Sequence, residues 1–157
     1  MSDKDQKKGR ALLIGRRVTD PALQEALSGF GYRVEHHATS RDGARAFRGQ
    51  KQALVIVDVE AINGFPERFF RFFSMVRDNA IVLVAAGPQT PEASRYLLWG
   101  AHDILPLPIR RDALNFTLNR ASAYHRDLVR ATYLRYVAWF SVAMLPLGLA
   151  LLYTIVR

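Results

Sequence analysis

Asp58 is the acidic residue whose position first suggests chemistry. It ends the apolar run Ala53–Val57, which is apolar on both faces and predicts a central strand of a parallel sheet. In such a sheet the functional site lies at the carboxyl ends of the strands. At the ends of the predicted strands we expect Gly15, Arg16, Asp58, Ala85 and Leu107.

The elements that must position these residues alternate along the chain. Short apolar or alternating segments predict strands at 11–14, 32–36, 53–58, 81–86 and 103–105. Helical segments are predicted at 20–30, 40–48, 65–76 and 91–99, and from 111 onward. Strands and helices in this alternation predict right-handed βαβ units and an α/β domain with a parallel sheet.

Two motifs give the chain a family resemblance. Asp58 ends the third predicted strand, and the segment GAHDILPLP, residues 100–108, follows the fourth. On these features, residues 10–120 resemble a response-regulator receiver (CheY-like) domain. The resemblance implies a flavodoxin-like (βα)5 doubly wound sheet of order 2-1-3-4-5. It also implies that Asp58 stands at the phosphoacceptor position and that the Leu107–Pro108 peptide bond is cis.

The chemistry of that family does not carry over. The positions of its two metal-binding acids are Gly15 and Arg16, its hydroxyl position is Ala85, and its lysine position is Leu107. Because Mg²⁺ needs several oxygen ligands, we expect no metal, no cofactor and no enzymatic activity, and we interpret Asp58 as a vestigial phosphoacceptor.

The loss of metal and lysine leaves Asp58 in need of a partner. We predict that Arg16 or Arg17 pairs with it, since an unpaired buried carboxylate is costly. The alternative is that both arginines face solvent and backbone donors satisfy Asp58.

The C-terminal segment has a different composition. Residues 136–156 contain no charged residue, which predicts a single transmembrane helix, with a buried core helix as the alternative. Aromatic residues near both ends and arginines before the segment are typical of membrane interfaces: Arg130, Arg135, Tyr136, Trp139 and Tyr153. The arginines place the N-terminal domain in the cytoplasm, at a bacterial inner or intracytoplasmic membrane.

These features divide the chain into four expected parts. Residues 1–9 form a disordered tail, 10–120 the receiver-like domain, 121–135 a helical juxtamembrane stalk, and 136–156 the membrane span. The four histidines are expected to be structural or surface residues, with His102 and His125 standing alone.

The expected function is that of a membrane-anchored pseudo-receiver, a non-catalytic scaffold or accessory subunit. Its expected partners are the lipid bilayer, other membrane proteins and a second copy of the chain. Phe70, Tyr96 and Trp99 are the predicted interaction surface. The alternatives are a working receiver phosphorylated on Asp58, a small-ligand binder at the strand ends, and a DNA-binding regulator. The last is suggested only by the net charge of +8. We expect no nucleic-acid partner, because no residues remain for a helix-turn-helix.

Overall fold

The computed structural model describes residues 9–62, 66–76, 80–88, 90 and 93–156, and the side chains of all these except 74–76, 93 and 147–156. Contacts divide the chain into two units, Met1–His125 and Arg126–Arg157. Of the expected disordered tail, only Gly9 is described, and it begins the first strand. Arg157, position 89 and the segments 63–65, 77–79 and 91–92 also lie outside the described residues.

Five parallel strands form one sheet in the first unit. They are β1 Gly9–Ile14, β2 Tyr32–His37, β3 Leu54–Asp58, β4 Ile81–Ala86 and β5 Asp103–Pro106. Their order is β2-β1-β3-β4-β5, and every neighbouring pair is parallel. The predicted α/β class and the flavodoxin-like strand order are therefore confirmed.

Helices connect the strands and follow the last one. They are α1 Pro21–Gly29, α2 Ser40–Gly49, α3 Pro66–Val76, α4 Ala93–Leu98 and α5 Arg111–Val156, with a 3₁₀ turn at Val59–Ala61. The Asp20 carboxylate accepts the Ala22 amide at the start of α1, and the Thr39 hydroxyl accepts the Asp42 amide at the start of α2. Such caps satisfy amides that have no partner within the helix.

The core has two layers because neighbouring residues of a strand point to opposite faces of the sheet. Leu13 packs on one face with α1 and α5 residues such as Leu27 and Leu114. Leu12 packs on the other face with Phe47 and Phe73 of α2 and α3. With both faces covered, the strand ends remain as the places where polar side chains converge.

The predicted interaction surface is wrong at Phe70 and Tyr96. Both side chains are buried, and their rings pack with centres 5.4 Å apart. Phe69 and Phe72 are half-buried, and Phe73 is buried. Phe70 and Phe73 are three residues apart and therefore lie on the same face of α3. This face points into the core, where Phe70 contacts Tyr96 of α4. Of the three residues of the predicted interaction surface, Trp99 alone is partly accessible, because Phe70 and Tyr96 are buried.

In the part of the chain that the structure describes, none of the helices combines the length and the apolar composition of a membrane span, so the expected span over 136–156 is not supported. The side chains of its last ten residues, including Tyr153, lie outside the described part of the chain. The side chains described from Arg126 to Pro146 are all exposed, and these include Arg130, Arg135, Tyr136 and Trp139.

Candidate functional site at the carboxyl ends of the strands

Asp58 is a buried carboxylate at the end of the central strand β3. Only 2% of its surface is exposed. Its side chain caps the 3₁₀ turn that follows, because Oδ1 accepts the Glu60 amide at 3.1 Å. The Arg17 amide lies 3.3 Å from Oδ2 and donates to it. Two backbone donors, one from each neighbouring loop, therefore hold the carboxylate in place.

The Arg17 side chain supplies the positive charge at this site. Its Nη2 donates to Asp58 Oδ1 at 2.8 Å, and its Nε lies 3.2 and 3.3 Å from the two carboxylate oxygens. Its Nη1 lies 2.9 Å from Glu60 Oε1, so one guanidinium bridges two acids. Hydrogen bonding to Asp58 raises the pKa of Arg17. Partial burial opposes this increase, and the negative charges of Asp58 and Glu60 add to it. Arg17 is thus a fixed cation over the carboxylate.

Arg16 does not share this role. It is exposed, and no ion pair joins it to Asp58 in the described residues. Adjacent residues in a loop point in different directions, so only one of the two arginines can reach the carboxylate. The structure brings Arg17 and Asp58 together.

Gly15 makes the close approach of Asp58 possible. Its φ is +118°, a conformation that side-chain-bearing residues rarely adopt. A Cβ at this position would lie 2.4 Å from Asp58 Cβ and 3.1 Å from Asp58 Oδ2. A carboxylate side chain at position 15 would therefore collide with the Asp58 side chain.

The loop that carries Arg17 is braced by a histidine and a threonine. His36 Nε2 lies 2.9 Å from the Gly15 carbonyl and 3.0 Å from Thr19 Oγ1. The Thr19 hydroxyl donates to the Arg16 carbonyl at 2.7 Å. Sequence reasoning missed these positioning residues, because neither belongs to a motif and the contact between His36 and Thr19 joins residues 17 positions apart.

The remaining rim positions add no polar group at the strand ends. Ala85 pairs with Asp58 in the sheet and is fully buried. Leu107 is half-buried beside the core, and the Leu107–Pro108 bond is cis. Of these described residues, the rim therefore offers the buried Asp58 carboxylate, the bridging Arg17 guanidinium and the exposed Glu60.

These residues do not fit Mg²⁺, the ion that receiver chemistry would require. A magnesium site needs several oxygen ligands around one point, and a guanidinium occupies the cation position beside Asp58. Among the described residues, no three histidine, cysteine or acidic side chains could surround a metal ion.

A second polar cluster joins β5 to the first turns of α5, and the sequence did not predict it. Asp103 is buried and forms a forked ion pair with Arg120, whose Nε lies 2.6 Å from Oδ2. His102 was expected to stand alone, which is wrong, since its Nε2 lies 3.0 Å from His125 Nδ1. Twenty-three residues separate the two histidines, so no local spacing could indicate the contact.

The pair of histidines has a defined proton arrangement. The Val82 amide donates to His102 Nδ1 at 3.1 Å, so that nitrogen must be unprotonated and Nε2 must carry the proton. His102 then donates to His125 Nδ1. Burial, followed by the neighbouring His125, lowers the pKa of His102 to about 4.

Comparison with known structures identifies the fold. The receiver domain of a response regulator from Clostridium thermocellum is 19% identical, with a TM-score of 0.62, covering 76% of this chain and 98% of that one. Chemotaxis response regulator CheY4 of Vibrio cholerae is 19% identical, with a TM-score of 0.58 and coverages of 72% and 98%. The signal receiver domain of an HD domain-containing protein from Pseudomonas fluorescens is 14% identical, with a TM-score of 0.66 and coverages of 80% and 94%.

At these identities the likeness establishes a receiver fold, and the function has to be argued from the site. No protein-family model matches the chain, and no curated protein matches it in sequence.

Proposed function

We propose that this chain is a pseudo-receiver: a receiver-fold module that binds other proteins and does not accept a phosphoryl group. The observation that carries the proposal is the Arg17 guanidinium seated on Asp58. Phosphorylation would require a nucleophilic carboxylate oxygen, a metal ion and neutralisation of the arriving charge. Both oxygens of Asp58 accept hydrogen bonds, and the guanidinium stands where a metal ion would have to bind.

A permanent ion pair also fits a module with a single conformational state. In a two-state switch, a ligand must bind one state more tightly than the other. Here the chain supplies its own cation, so the rim keeps one arrangement without a ligand. We infer that any signal reaches this module through its partners.

We propose that exposed apolar side chains of the first unit form the surface that binds partners. Leu98 on α4 is 86% exposed, and Phe116 on α5 is also exposed, with the Arg120 guanidinium 5.3 Å from its ring centre. Contiguous exposed apolar side chains are typical of contact surfaces, and Leu97 beside Leu98 is also exposed. They replace Phe70 and Tyr96 in the proposed interface.

We further propose that the C-terminal segment attaches the module to a membrane, with the first unit in the bacterial cytoplasm. The support is the sequence of residues 136–156, which contains no charge and follows Arg126, Arg130 and Arg135. Fractionation tests this point. A chain truncated after Arg135 should become soluble, whereas a truncated chain that still sediments with membranes in high salt would contradict the proposal.

Phosphorylation with a small acyl-phosphate donor and Mg²⁺ tests the pseudo-receiver directly. We expect no phosphoryl adduct on the wild-type chain by intact mass, under conditions in which a working receiver is modified. Asp58→Asn is the control for modification elsewhere. An adduct that appears on the wild-type chain and is absent from Asp58→Asn would establish the alternative, a working receiver.

A further inference from the structure

Helix α2 carries three arginines on one side. Arg41, Arg45 and Arg48 are exposed and spaced four and three residues apart, whereas Gly43 and Phe47 on the other side are buried. This spacing places the three cations next to each other along the helix. Together with Ala44 they line a surface cavity of about 330 Å³.

The positive charges of Arg41 and Arg45 have little compensation among the described residues. Asp42, the acid within α2, accepts a 2.7 Å hydrogen bond from the Thr39 hydroxyl at the helix cap. In the part of the chain that the structure describes, neither Arg41 nor Arg45 forms an ion pair with an acid. Like charges at this spacing destabilise a helix by about 0.2–0.5 kcal/mol per pair, so an anion bound between them removes a repulsion.

Arg48 is held in place by an aromatic ring of the next helix. Its guanidinium carbon lies 4.7 Å from the centre of the Phe72 ring on α3. Such stacking orients a long side chain that would otherwise lose rotamer freedom on binding a ligand. One wall of the cavity is therefore ordered before any ligand arrives.

We propose that this cavity, here called the α2 arginine pocket, binds a phosphate group. A phosphate monoester carries close to two negative charges and three acceptor oxygens, which matches several guanidinium groups better than a carboxylate does. The phosphate belongs either to a lipid headgroup or to a soluble phosphorylated compound. Because Asp58 does not line the pocket, the proposal is independent of the proposed function.

Titration calorimetry on the full chain in neutral detergent micelles tests the pocket. One arm adds inorganic pyrophosphate, and the other uses mixed micelles that contain phosphatidic acid, with phosphatidylcholine as the neutral comparison. Binding of pyrophosphate identifies a soluble ligand. Binding of phosphatidic acid alone identifies a lipid headgroup.

The decisive comparison uses two double variants that remove equal charge. We expect Arg41→Gln/Arg45→Gln to lower the affinity for the bound probe by about ten-fold or more, the effect of losing charge-assisted hydrogen bonds. Arg33→Gln/Lys51→Gln removes two exposed cations outside the pocket and should change the affinity less than about two-fold. Equal losses in both variants, or no binding of either probe, would overturn the proposal. Circular dichroism verifies that both variants are folded.

Discussion

Two buried carboxylates in this protein meet an arginine fork, one at the end of the central strand β3 and the other at the start of the edge strand β5. Asp58 closes β3 and pairs with Arg17 of the neighbouring loop, and Asp103 opens β5 and pairs with Arg120 of α5. Both acids are almost fully buried, while the arginine side chains are 37% and 58% exposed. The same type of ion pair therefore occurs at the end of β3, among the rim residues, and at the junction between β5 and α5.

The two pairs differ in what else supports the carboxylate. Asp58 accepts backbone amides from Arg17 and Glu60, whereas Asp103 accepts only the Ile104 amide among the described contacts. A carboxylate with more donors depends less on its arginine, because an unsatisfied buried charge carries most of the cost of a broken pair. The Asp58 carboxylate therefore depends less on Arg17 than the Asp103 carboxylate depends on Arg120.

The largest expected effect comes from crowding the rim. Gly15→Ala would place a methyl group 2.4 Å from Asp58 Cβ on a backbone with φ of +118°. We expect a loss of about 3 kcal/mol or more in the free energy of unfolding, measured by urea denaturation. Gly29→Ala is the matched control, since a Cβ there meets nothing within 4 Å and alanine favours a helix. Equal stability of the two variants would contradict the close packing at the rim.

Removing the cation of the junction should cost more than removing that of the rim. Arg120→Gln leaves Asp103 buried with one backbone donor, and we expect about 2–3 kcal/mol of destabilisation. This lies below the value for a fully buried pair, because solvent screens the exposed part of Arg120. Chemical denaturation at neutral pH measures it. A loss below that of Arg17→Gln would reverse the order proposed for the two sites.

The sheet could be predicted from sequence because each strand is a short apolar or alternating run bounded by a turn or a polar residue. The position of Asp58 followed from the same pattern. The choice between Arg16 and Arg17 did not, since loop direction depends on the bracing contacts of His36 and Thr19. Phe70 was misplaced because an aromatic-rich helix has several possible inward faces, and Tyr96 decides among them.

Acid should weaken the β5–α5 junction through His102. The pKa of His102 is about 4 in the fold against an ordinary value near 6.5, so the unfolded chain binds the proton more readily. The contribution of neutral His102 to stability is complete above about pH 6.5 and is lost as the pH falls toward 4. The free energy of unfolding should therefore decrease by roughly 1–2 kcal/mol between pH 7 and 5. Denaturation across that range measures it.

The control for the acid effect is His102→Asn, which keeps an acceptor for the Val82 amide and removes the titration. We expect its stability to fall less between pH 7 and 5 than that of the wild-type chain. Identical slopes for the two proteins would show that His102 does not contribute.

The smallest expected effect isolates the ion pair at the rim itself. Arg17→Gln should destabilise by about 1–2 kcal/mol, since Asp58 keeps two backbone donors and Arg17 is partly exposed to solvent. Asp58→Asn should cost a similar amount, because the guanidinium loses its main partner. In a double-mutant cycle the two changes together should cost about 1–2 kcal/mol less than their sum, which measures the coupling between the two charges.

Arg16→Gln removes the same charge from the adjacent exposed position and should change stability by less than about 0.5 kcal/mol. Strict additivity, or an Arg16 variant as damaging as the Arg17 variant, would mean that the guanidinium does not hold Asp58 and that the carboxylate is available for other chemistry.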